Sequence, residues 1–138
     1  MADALIQLEL CAPERAKSAM TATEIVIPGA GGVFTVLPGH TPLLSTLVPG
    51  VIQAIDEQGD THFFAISGGF AEIADNCVTI LAEVFEFGKE VDIVRAEAAQ
   101  ERAEKRLKKS ADEVAVGRAE RALSRALARI DAHKKRMY

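Results

Sequence analysis

The sequence predicts an antiparallel β-sandwich of about ten strands followed by a C-terminal antiparallel α-helical hairpin. Three observations carry this. Short apolar runs separated by turn residues every 8–12 positions fill residues 1–87, the spacing of a sandwich or barrel. From Asp92 to Lys109 the chain turns helix-forming, rich in Ala, Glu, Lys and Arg and free of Gly and Pro. The charge changes sign at the same place. Residues 1–87 carry Arg15 and Lys17 against eleven carboxylates, whereas residues 88–138 carry fourteen Lys and Arg against nine. We therefore expect two domains, 1–87 and 88–138, with different partners.

Several elements follow in order. Leu5–Leu10 alternates in part and ends at Pro13. Thr23–Ile27 is β-branched and stops at Pro28-Gly29. The run Gly29-Ala30-Gly31-Gly32 is a turn; no Lys-Ser/Thr follows it, so it is no phosphate loop. Val33–Leu37 is a strand leading into Leu37-Pro38-Gly39-His40-Thr41-Pro42-Leu43-Leu44. Proline fixes φ and glycine supplies the positive φ of a tight turn. We expect a rigid corner, pinned into the core by the apolar pairs on both sides, with His40 at its tip; an ordinary turn between strands is the plainer reading. Further strands are expected at Val51–Ile55, His62–Ile66, Phe70–Ile73 and Val78–Leu81, with polar turns at 56–60 and 75–76.

Asp92 is placed to cap the first helix, and Ser110 with Glu113 forms a capping box for a second, running to about Lys134. Ala96, Ala99, Ala103 and Leu107 face Ala115, Ala119, Ala122, Leu123, Ala126 and Ile130 along a thin seam. Small side chains bury little area, so the hairpin should be marginal alone and able to leave its resting place.

Catalysis has little support. His40, His62 and His133 show no metal-ligand spacing, and Ser67-Gly68-Gly69 lacks a nucleophile-elbow context. Cys11 and Cys77 read as buried free thiols, with a disulfide left open. No apolar run is long enough to span a membrane, and no secretory signal or transit peptide is expected at the N-terminus. Arg118, Arg125 and Arg129 share one helix face, and Arg95 and Arg102 another. Two such rows across a groove suit phosphate or carboxylate; a solvated charged face is the alternative. The helical part has no aromatic residue before Tyr138, which argues against nucleic acid bound by base stacking.

The stretches VLPGHTPLL (36–44), VPG (48–50), SGGFAEI (67–73), VTILAE (78–83), VDIVRAEAA (91–99) and RAERALSRALARI (118–130) resemble the epsilon-subunit family of F-type ATP synthases over essentially the whole chain. The resemblance implies a non-catalytic subunit of the central rotor, peripheral to the membrane on the cytoplasmic face of the bacterial plasma membrane. It implies a sandwich that binds the gamma subunit and rests on the c-ring, with Val33, Gly39, His40 and Pro42 at that contact. Many relatives carry an acidic residue where Val33 stands. The hairpin would reach the alpha and beta subunits when extended and block ATP hydrolysis.

Some bacterial members bind regulatory ATP through an Ile/Leu-Asp-x-x-Arg-Ala motif, and Val91–Ala96 is similar to it. Carried across, the ligand positions are Glu86, Asp92, Arg95, Arg102, Arg118, Arg125 and Arg129. An ATP-sensing module whose hairpin closes on ATP is the alternative function. No cofactor is required on either reading.

Overall fold

The computed structural model describes residues 4–109 and 112–135. Ten strands come first: β1 (Ile6–Ala12), β2 (Arg15–Ala22), β3 (Glu24–Gly29), β4 (Gly32–Val36), β5 (Leu43–Leu47), β6 (Gly50–Ile55), β7 (Thr61–Ile66), β8 (Gly69–Ala74), β9 (Cys77–Leu81) and β10 (Phe85–Phe87). A 3-10 turn at Gly88–Glu90 leads to helices α1 (Ile93–Lys109) and α2 (Glu113–Lys135).

The strands form one folded-over sheet in the order β10-β7-β6-β3-β5-β8-β9-β1-β2, with β4 paired to β3. The expected all-antiparallel pairing needs one correction: β1 and β9 run parallel, with Leu8 opposite Val78 and Leu10 opposite Ile80. These strands lie far apart in sequence, so no tight turn forces them to run antiparallel. Their register also settles the cysteines. Cys77 lies opposite Gln7 and Cys11 opposite Leu81, four residues and about 13 Å apart along the strand. That is too far for a disulfide; both thiols are free, and each is half-buried rather than buried as expected, because each lies toward an end of its strand.

Alternation places Ile6, Leu8, Leu10, Ile25, Ile27, Ile52, Phe64, Val78, Ile80 and Phe85 in one core, each at most 1% exposed. Each such side chain contributes roughly 1.5–3 kcal/mol by burial. The hairpin is held differently. α2 lies between α1 and the sheet, packing on β6, β7 and the 3-10 turn. It buries Ala119, Ala126 and Ile130 on one side and Ala128 and Ala132 on another. The sequence predicts the first of these faces and not the second. Alanine buries little, so this packing contributes less per residue than the core of the sheet.

Asp92 caps α1 as expected: its Oδ1 accepts the Arg95 N–H at 3.2 Å. Ser110, expected to cap the second helix, lies outside the described residues. Asp112 caps α2 instead, its Oδ1 accepting the Val114 N–H at 3.2 Å. The β6–β7 hairpin is tied by Asp56, whose carboxylate accepts from the Gln58 and Asp60 N–H groups at 2.9 Å and sits 2.7 Å from His62 Nε2.

Two predictions follow from this packing. A Cβ at position 88 would lie 2.5 Å from the Ala132 carbonyl oxygen, a backbone atom that yields only if α2 moves. Gly88→Ala should therefore lower the melting midpoint of the helical circular dichroism signal, at a cost of about 1–3 kcal/mol, while the sheet melts as before; an unchanged helical midpoint would contradict the close seating. The second concerns acid. The hydrogen bond to His62, then those from the Asp60 and Gln58 N–H groups, hold the Asp56 carboxyl below its ordinary range. A depressed folded pKa gives stability that is full above the unfolded value of about 3.9 and lost as pH falls through the folded one. Amide exchange at Gln58 and Asp60, corrected for its intrinsic pH dependence, should lose protection below about pH 4, before the β1–β9 pairing loosens.

Candidate functional site

Between α1, α2 and the sheet, the small residues leave a cleft of about 370 Å³. Its floor is Ala65, Ile66 and Ser67 at the end of β7 with Val84 before β10. Its walls are Ala99 and Ala103 of α1 and Ala122 and Ala126 of α2. Four arginines edge it, Arg102 and Arg106 on α1 and Arg125 and Arg129 on α2, each pair one helical turn apart. The single carboxylate among the lining residues is Glu86.

Glu86 holds Arg129. The Arg129 Nε is 2.7 Å from Glu86 Oε1, and Nη2 donates to Oε2 at 3.4 Å. Both side chains are about three-quarters covered. The Nε–H is buried and lies off the line to the carboxylate, leaving it without a hydrogen-bond partner. This pair ties β10 directly to α2. The other three guanidinium groups share the cleft edge, an arrangement that favours a polyanion between them.

Of the seven nucleotide positions implied by the resemblance, Glu86, Arg102, Arg125 and Arg129 line the cleft. Asp92, Arg95 and Arg118 do not: Asp92 caps α1, and Arg95 and Arg118 lie exposed on the helices. Sequence reasoning missed Arg106, which sits among several basic residues at the C-terminal end of α1. Its spacing of four from Arg102 was the available signal.

The corner at 37–44 lies in another part of the sandwich. The His40 N–H donates to the Leu37 carbonyl at 3.1 Å, closing a turn with Pro38 and Gly39 at its centre. Gly39 has φ of 85°, the value a type II turn requires there. Its N–H donates to Asn76 Oδ1 at 2.7 Å, locking the corner to the β8–β9 turn. His40 Nδ1 is 2.6 Å from the Thr41 carbonyl. A carbonyl only accepts, so Nδ1 carries a proton.

The expectation of apolar pins on both sides needs correction. Val36 is buried, but Leu37, Leu43 and Leu44 are exposed, Leu44 to 71%. With Val33, 72% exposed, they make an apolar surface on a rigid support rather than part of the core. The Leu37–His40 turn bond and the single bond from Gly39 to Asn76, not buried leucines, hold the corner's shape. On the outer sheet face, Phe70 and Leu81 stand opposite each other and are both half exposed.

Among the described residues there is no cluster of three His, Cys, Asp or Glu side chains that could hold a metal, and no helix long and apolar enough to cross a membrane.

Residues 5–88 match the family model of the β-sandwich domain of the ATP synthase delta/epsilon chain, and residues 89–134 that of its long α-helix domain. The chain is 42% identical over 135 residues to the ATP synthase epsilon chain of Syntrophomonas wolfei, covering 98% of each. It is 46% identical over 125 residues to that of Desulfitobacterium hafniense, covering 91% of this chain and 93% of the relative. Its fold superposes, with a TM-score of 0.80 and 26% identity, on a chain of the Euglena gracilis mitochondrial ATP synthase, in a structure of its OSCP, F1 and c-ring; the match covers 98% of this chain and 82% of the other. With both domains matched in order and relatives this similar over their whole length, the chain belongs to the ATP synthase delta/epsilon family.

Proposed function

We propose that this chain works as a non-catalytic central-stalk subunit of an F-type ATP synthase and that its cleft takes ATP as a regulatory ligand. Full-length similarity to epsilon chains supports the first part. Two surfaces fit the partners. The corner around Gly39, His40 and Pro42, with exposed Val33, Leu37 and Leu44, suits the c-ring: it is rigid, apolar and pinned to a neighbouring turn. The outer sheet face with Phe70 and Leu81 suits the gamma subunit. The protein would sit peripherally on the membrane complex, at the cytoplasmic face. The sandwich, 1–87, would stay on the rotor while the hairpin, 88–138, moves toward the alpha and beta subunits.

The cleft carries the ATP reading. Its volume lies within the roughly 300–1,000 Å³ of small-ligand sites. The alanine and Ile66 surfaces suit a flat purine, and Arg102, Arg106 and Arg125 suit its phosphates. The Glu86 carboxylate would repel phosphate, so it belongs beside ribose hydroxyls or the exocyclic amine. ATP bridging α1, α2 and β10 would hold the hairpin down.

Calorimetric titration of the full chain with ATP should give binding at or below the millimolar range. Arg125→Gln should weaken it about tenfold, one charge-assisted contact of roughly 1.5 kcal/mol. Arg118→Gln, outside the cleft, should change it less than twofold by the same scale. No binding at millimolar ATP, or an equal loss from both variants, would overturn the assignment.

A further inference from the structure

Arg15 and Lys17 are the basic residues of the first 87, and Arg15 is committed to the junction between the two parts of the chain. It opens β2, an edge strand. Its Nη1 donates to the Phe85 carbonyl at 2.9 Å, and its Nη2 donates to Glu90 Oε1 at 2.9 Å. Its guanidinium lies over the Phe85 ring at 4.5 Å and the Phe87 ring at 5.2 Å. One side chain from the β1–β2 hairpin thus grips both β10 and the 3-10 turn, the segment through which the sheet runs into α1. The same turn seats α2, because Gly88 lies under Ala132 and Val91 packs with Ala96 and Ile130.

The contacts are unequal in an informative way. Three of them, the carbonyl and the two rings, belong to β10 and keep Arg15 on the sheet. Only the bond to Glu90 reaches the linker, and that pair is partly open to solvent, with side chains 32% and 40% exposed. An exposed ion pair is weak and is screened by salt. Opening it costs the sheet nothing. We propose that Arg15 is a latch: its bond to Glu90 biases the 88–90 linker toward the docked hairpin, and release of Glu90 frees the hairpin without loosening the sandwich. The inference rests on the reading that the hairpin leaves the sheet in service.

Amide hydrogen exchange of the full chain tests this. Glu90→Gln should speed exchange over residues 88–96 and 126–133 about two- to fivefold. Arg15→Gln, which also gives up the carbonyl bond and both ring contacts, should speed it up to about tenfold. In the Glu90→Gln protein the strands at 6–11 and 77–81 should exchange as before. Lys17→Gln, which breaks the 3.1 Å pair with Glu9 on the same hairpin, should leave 88–96 unchanged. Unchanged exchange over 88–96 in both latch variants would overturn the proposal. So would an equal rise in the sheet strands of Glu90→Gln, since Arg15 would then merely hold the sandwich closed. Millimolar ATP added to the unaltered chain tests the cleft separately: it should slow exchange over α1 and α2, and failure there would sink the ATP reading while leaving the latch result standing.

Discussion

Close approach of α2 to the sheet, permitted by the absence of side chain at Gly88 and by the single methyl of Ala132, sets the rest of the structure. With α2 seated, Arg129 reaches Glu86, the arginines of both helices come to one edge, and the small residues between helices and sheet leave a cleft. A larger residue at either position would lift α2 and separate the groups that line the cleft. The arginines are therefore brought together by packing, and their mutual repulsion opposes that packing.

This opposition distinguishes the two parts of the molecule energetically. The sandwich buries large aliphatic and aromatic side chains in a continuous core. The hairpin's interior is largely alanine, supplemented by Ile130 and Val91, and its ties to the sheet are the small side chains of α2 and a few polar groups at the margins. On the proposed reading, the free-energy difference between docked and undocked hairpin would be small enough for one ligand or one partner surface to shift. An anion bound among the guanidinium groups would offset their repulsion and favour docking. The charge division of the chain serves the same end, since a basic arm resting on an acidic sandwich is also attractive to acidic surfaces elsewhere.

Much of this is legible in the sequence, for identifiable reasons. The helices were visible through unbroken helix-forming composition and through Asp92, and the strands β3, β4 and β6–β9 through β-branched runs between turn signals. Three strands were not visible from pattern alone. β2 reads Arg-Ala-Lys-Ser-Ala-Met-Thr-Ala, with little β propensity, and is a strand because β1 pairs with it. β5 follows the corner so closely that its leucines read as the corner's anchors. β10 has three residues, too few to show a period. The parallel pairing of β1 with β9 leaves no local trace. In the site, Arg102, Arg125 and Arg129 were evident from spacing, whereas Arg106 was hidden in a basic cluster at a helix end. Arg15 carries no local signal because its partners lie 70 and 75 residues away.

The most direct test of the account is ATP hydrolysis by an F-type synthase complex depleted of its epsilon subunit. The full chain and a version ending at Gly88 are titrated in separately, and binding of each is measured alongside. Both forms are expected to bind the complex and only the full chain to slow hydrolysis, with millimolar ATP relieving the inhibition by holding the hairpin on the sheet. Failure of the full chain to bind would contradict the stalk assignment, and equal inhibition by the two forms would contradict the hairpin as the braking element.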